Sequence, residues 1–147
     1  MKSIKSIFVL LLVSFFTFVS CDNDGSSGGM YFYGTWDSSL MMGQGDLRDI
    51  TTVKIDQSTV TMTFNKDGYY GYLYEHYGQS KTVSYTYNAN DVDFAGEARE
   101  SLTFDSPLYF VQLSSGKEFI SKVFITKGPG GLVWYSADLS HGLFLSK

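Results

Sequence analysis

The chain reads as all-β: an antiparallel, up-and-down β-barrel of about eight to ten strands, with a β-sandwich as the alternative. Three observations predict this. From Val53 onward, apolar and polar side chains alternate with period two, the pattern of strands with one dry and one wet face. Turn clusters of Gly, Asn, Asp and Ser separate the runs at even spacing, which favours sequential hairpins closing as a barrel or packing as a sandwich. Aromatics reach 17% against only two prolines, and aromatic side chains favour strands.

The first 20 residues stand apart. Lys2 and Lys5 precede an apolar run over residues 7–19, interrupted only by Ser14 and Thr17. As a helix the run would span roughly 20 Å, short of the about 30 Å of a bilayer core. Residues 1–20 therefore read as a secretory signal peptide. Cys21, the one cysteine of the chain, directly follows the small residue Ser20 at the cleavage position. Residues 21–29 continue as Cys21-Asp22-Asn23-Asp24-Gly25-Ser26-Ser27-Gly28-Gly29, a composition that behaves as flexible coil. The folded domain is assigned to residues 30–147. With a single cysteine it forms no intramolecular disulfide, and a chain of this size buries roughly two thirds of its unfolded surface without one.

Element by element, an opening strand falls around residues 35–41 and a second around residues 52–56. Val60, Met62 and Phe64 then alternate with Thr59, Thr61, Thr63 and Asn65. Asn65-Lys66-Asp67-Gly68 reads as a hairpin turn with glycine in the left-handed position. The next strand is assigned to residues 69–77, with Tyr70, Tyr72, Tyr74 and His76 on one face. After a turn at Gly78-Gln79-Ser80, Val83, Tyr85 and Tyr87 alternate with Thr82, Ser84 and Thr86. Residues 88–93 form a polar loop. Residues 94–100 are the best helical candidate, weakened by Gly96. Strands resume over residues 100–104 and 108–113, broken by Ser106-Pro107. Further strands cover residues 118–126, 132–137 and 143–146, joined by glycine-rich turns. That makes nine or ten candidates, of which some could be halves of one bent strand.

Two resemblances follow from particular residues. Phe18-Val19-Ser20-Cys21 resembles the lipobox of bacterial lipoproteins, departing from it at Phe18 and Val19. The acidic residues after Cys21 look like the surface-export signal of Bacteroidetes lipoproteins. That likeness implies two or three lipid chains (a palmitate-type modification) on Cys21, enough for stable anchoring. It also implies an outer-membrane location, facing the periplasm or the cell surface. Gly34-Thr35-Trp36 is similar to the Gly-x-Trp motif of lipocalins. Phe64-Asn65-Lys66-Asp67-Gly68-Tyr69-Tyr70 looks like a hairpin of lipocalin-like lipoproteins from Bacteroidetes. The lipocalin pattern places an Arg of the last strand on that Trp, and Leu143-Phe144-Leu145-Ser146 offers none. The C-terminal helix of lipocalins is missing too.

Charge and chemistry narrow the function. With the signal removed, 9 Lys and Arg stand against 15 Asp and Glu, a net charge of −6 (11 basic residues less Lys2 and Lys5). No basic cluster is visible, so a nucleic-acid partner is excluded. His76 and Glu75 are strand neighbours and point to opposite faces; His141 reads as a solvent-exposed turn residue. Zinc needs three or four ligands, and none assemble. Asn90-Asp91-Val92-Asp93 offers oxygens but lacks the calcium-loop pattern. Gly25-Ser26-Ser27-Gly28-Gly29 matches a nucleophile elbow only formally, and Gly128-Pro129-Gly130-Gly131 lacks the ending of a phosphate loop. The chain thus reads as non-enzymatic, without metal or cofactor.

The tyrosines carry the functional expectation. A two-residue turn at Gly78-Gln79 would set Tyr74, Tyr72 and Tyr70 opposite Val83, Tyr85 and Tyr87; a three-residue turn would set them opposite Thr82, Ser84 and Thr86, so the ladder depends on register. As structure, such rings stabilise cross-strand pairs. As function, they form an amphipathic wall that lines a small-molecule pocket inside a barrel. The leading expectation is a lipid-anchored, lipocalin-like protein that binds a small apolar or amphipathic molecule through Tyr70, Tyr72, Tyr74, Tyr85 and Tyr87, with Trp36 packing one barrel end. The alternative is a surface adhesin or inhibitor binding a protein or glycan through exposed tyrosines. Oligomeric state is not legible.

Overall fold

A computed structural model describes residues 30–40, 46–68, 71–112 and 116–147 of the chain. The signal-peptide and tether segments, Cys21 and Tyr70 lie outside these residues. The chain divides into two units, Met1–Tyr31 and Phe32–Lys147. Of the first only Met30 and Tyr31 are described, and the second holds the barrel.

Eight strands close into an antiparallel, up-and-down barrel in sequence order. They are β1 (Gly34–Leu40), β2 (Ile50–Ile55), β3 (Thr59–Phe64), β4 (Ser80–Val92), β5 (Ala98–Gln112), β6 (Gly116–Gly128), β7 (Gly131–Tyr135) and β8 (Gly142–Ser146). A 3-10 turn, Asp46–Asp49, precedes β2. Closure is made by β1 on β8, where Asp37 pairs with Ser146 and Ser38 with Leu145. The period-two alternation accounts for the core: Val53 and Ile55, Val60 and Met62, Leu132 and Trp134, and Leu143 and Leu145 are all buried.

The ten strand candidates become eight in two ways. Residues 100–104 and 108–113 fall largely in one strand, β5, whose register on β6 shifts between Thr103 and Leu108. Pro107 sits within that irregularity, the place where a sheet tolerates a residue with no N–H. The second correction concerns residues 69–77. The described part of this stretch holds an α-helix, α1 (Tyr72–Tyr77). Gly71 (φ 67°, left-handed) and Gly78 (φ 79°, ψ −150°) bound it at positive φ, which glycine adopts most readily. Alone, six residues would not hold a helix. Packing does so here: Leu73 is buried, and the Tyr77 ring stacks on Phe64 at 5.6 Å. The Tyr77 hydroxyl also accepts the Tyr109 N–H at 2.7 Å. Leu73 and Tyr77 are four apart, one face of a helix.

Residues 94–100 are not helical. They make the turn between β4 and β5 and the start of β5, with Gly96 at φ 81°. Gly68 is also not left-handed. It is required for space, since a Cβ there would lie 2.2 Å from the Asp49 Oδ1.

Phe32, just before β1, packs at the end of the barrel near the β2–β3 turn. Phe32 is fully buried, its carbonyl accepts the Trp36 Nε1–H at 2.9 Å, and its ring lies 5.3 Å from that of Tyr87. A cation does sit over Trp36: the Lys147 ammonium is 4.9 Å from the ring. It follows β8, one residue beyond the segment 143–146 that lacks the arginine of the lipocalin pattern.

Candidate functional site

Among the described residues, the predicted tyrosine wall does not assemble. Tyr85 and Tyr87 lie on β4 with buried Val83, while Thr82, Ser84 and Thr86 are exposed. Both are half-buried and anchored at their hydroxyls. Tyr85 donates to the Asp56 carbonyl at 2.6 Å, and Tyr87 to Glu100 Oε1 at 2.7 Å. Burial pushes both phenols up; for Tyr87, burial and then Glu100 push it up to about 12. Tyr72 and Tyr74 sit on α1 after the far end of β3, so the length of that strand separates them from Tyr85, which meets the β2–β3 turn through the Ser58 carbonyl.

The cavity among Met62, Leu108, Val123, Trp134, His141 and Leu143 measures about 20 Å³, room for about one water and none for a drug-sized ligand. His141 is buried at 4% exposure, contrary to the expectation for a turn residue. The β7–β8 loop folds in, and the His141 N–H donates to Ser136 Oγ at 3.1 Å.

A larger space lies outside. Phe94, Arg99, Val133, Tyr135, Leu139 and His141 border a groove of about 360 Å³, together with Asp93 and Glu97. One wall is the β4–β5 turn, which Asp93 organises. Its Oδ1 accepts the N–H groups of Ala95 at 2.8 Å and Glu97 at 3.2 Å. Its Oδ2 accepts Arg99 Nε–H at 3.2 Å and the Tyr135 hydroxyl at 3.5 Å, which ties the turn to β7. Burial alone would push the Asp93 carboxyl up. The amides of Ala95 and Glu97 and the Arg99 guanidinium outweigh it, and the carboxyl is held below its ordinary range. Arg99 also pairs with Glu97.

The other wall is the β7–β8 loop, residues 136–141. Asp138 Oδ1 accepts the Ser136 hydroxyl at 2.6 Å, the Ser140 hydroxyl at 2.7 Å and the Ser140 N–H at 3.0 Å. These bonds, the Ser136 hydroxyl first, hold the Asp138 carboxyl down to about 2. A base that weak takes no proton from a serine at neutral pH, so this cluster is a turn clamp with no activated nucleophile. Its folded value lies below the roughly 3.9 of an unfolded chain. The stabilisation is therefore present above about pH 4 and is lost as pH falls toward 2. Carboxyl-carbon NMR should give Asp138 a midpoint near 2, and Ser136→Ala should raise it.

The clamp holds Leu139 at φ 59°, the one non-glycine residue with positive φ among those described. Left-handed backbone costs an L-residue about 1–2 kcal/mol. Its side chain is 49% exposed, and Phe94 on the opposite wall is 58% exposed. Neither cost has a packing return in the barrel. In the sequence, the one local mark of these residues is a phenylalanine in a polar turn.

The remaining candidates are accounted for. Asp91 accepts Ser101 Oγ at 2.9 Å and pairs with Lys122; the Lys122 ammonium, then Ser101, hold its carboxyl low. The carboxylate oxygens of Asp91 and Asp93 thus go to cations, hydroxyls and backbone N–H groups of the chain. His76 stacks on Tyr109 at 4.1 Å. Among the described residues no three His, Cys, Asp or Glu side chains gather as a metal set, and no helix is long and apolar enough to cross a membrane. Comparison with protein-family models, with curated proteins and with solved structures finds no match to this chain.

Proposed function

We propose that this chain is a non-enzymatic, lipid-anchored binding protein that holds a small amphipathic molecule in the outer groove between the β4–β5 turn and the β7–β8 loop. Anchoring through Cys21 at the outer membrane comes from the lipobox likeness. The observation that carries the binding reading is the contrast of volumes. Among the described residues, the cavity beside Met62 and Leu143 offers about 20 Å³ and the groove about 360 Å³, the latter within the roughly 300–1,000 Å³ of small-molecule sites. The groove also joins apolar walls to a few placed charges, the composition such sites have.

Titration with decyl glucoside below its micelle concentration tests this. Saturable amide shifts are expected within residues 93–99 and 133–142. Shifts centred on Val53, Met62 and Leu145 would place the ligand inside the barrel and sink the proposal, as would no shift at all.

A second reading, a surface that engages a protein or glycan, draws on one observation. His76, Tyr109 and Phe119 form a continuous aromatic strip, with Phe119 61% exposed.

A further inference from the structure

The groove's charge is unbalanced. Asp93 and Glu97 supply two carboxylates, and Arg99 is the one Lys or Arg on its walls. Arg99 already pairs with both. An anionic ligand would have to take Arg99 from Glu97 and lie beside Asp93. A cationic one would meet the surplus carboxylate, of which the Glu97 side chain is 63% exposed, against a chain that is itself net negative. The aromatic walls point the same way. The Phe94 ring is largely open. The Tyr135 ring is stacked on Phe124 at 5.6 Å, which fixes it as a wall. Alkylammonium groups are attracted to aromatic faces.

The apolar part of a ligand has two contacts, Phe94 and Leu139, one on each wall. Leu139 is exposed and strained at once. Glycine would relieve the strain, and a polar residue would relieve the exposure. A strained residue at a groove wall is a pointer to function.

We infer that the groove selects an amphiphile with an ammonium head, its head beside Glu97 and its tail between Phe94 and Leu139, and that Leu139 is kept in its left-handed backbone for that contact. This rests on the outer groove being the ligand site. The test compares decyltrimethylammonium, decyl glucoside and decanoate on the intact chain, each below its micelle concentration, by amide shifts of the groove residues. The ammonium compound should bind at least about tenfold tighter than the glucoside, with decanoate weakest. Glu97→Gln should remove most of that preference. Leu139→Gly should raise the thermal midpoint yet weaken all three ligands several-fold, and Leu139→Asn, which also tolerates this backbone, should do the same.

Equal affinities for the three heads would overturn the charge selection and leave the groove reading standing. Tightest binding of decanoate would overturn it in favour of an anion on Arg99. Unchanged affinity in both Leu139 variants would overturn the role given to that side chain. Failure of all three compounds to bind would remove the groove reading with it.

Discussion

Phe32→Ala is expected to lower stability by about 3–5 kcal/mol, the range for truncating a buried phenylalanine. The residue lies outside every strand, yet none of it is exposed. Its ring packs against Tyr87 and Tyr33, at 5.3 and 5.2 Å. The Trp36 indole is held by the Phe32 carbonyl, so its orientation depends on where that segment sits. Removing the ring leaves a void beside Tyr33 and Tyr87 that the closed sheet cannot collapse to fill. Thermal unfolding should show a fall of roughly 10 °C or more, and Phe32→Leu should recover most of it. A loss under about 1 kcal/mol would mean that Phe32 does not pack at this end.

Gly131→Ala should be comparably damaging, for a different reason. A Cβ at Gly131 would lie 1.9 Å from the Leu145 carbonyl oxygen and 2.9 Å from its carbon. Both atoms are backbone of the paired strand, so no side chain can move aside and β7 must part from β8. The cost should reach or pass the upper end of the about 1–3 kcal/mol typical of overpacking. Its neighbour provides the control. Gly130 has φ 77° and open space around its Cβ position, so Gly130→Ala meets only the left-handed backbone cost, about 1–2 kcal/mol. Hydrogen exchange should speed at Leu132, Trp134, Leu143 and Leu145 in the first variant and stay near wild type in the second. Similar exchange in both would refute the steric account.

How far the sequence could be read depends on the range of the interactions. β3 was legible because its pattern is local: Val60, Met62 and Phe64 face one side. α1 was not, because tyrosines at every second position mimic a strand while Leu73 and Tyr77 mark a helix face. Only Gly71 and Gly78, one before and one after, hinted at a short capped element. Residues 88–100 look like loop and helix because the hairpin's stability comes from Asp93 holding its own turn and reaching Tyr135, 42 residues on. The groove inherits that opacity. Its walls come from two turns that no local pattern relates, whereas the tyrosine ladder was conspicuous in sequence and was split by a helix. His141 reads as exposed for the same reason: a turn next to glycine looks wet, and only the loop's inward fold buries it.

The pairing of Asp37 with Ser146 couples the first strand to be synthesised with the last. No barrel can be complete until residues 142–146 are available, and joining such distant partners carries a loop-closure penalty that slows folding relative to helical topologies. Until then β1 and β7 each keep an unpaired edge, the kind of strand edge that recruits other chains.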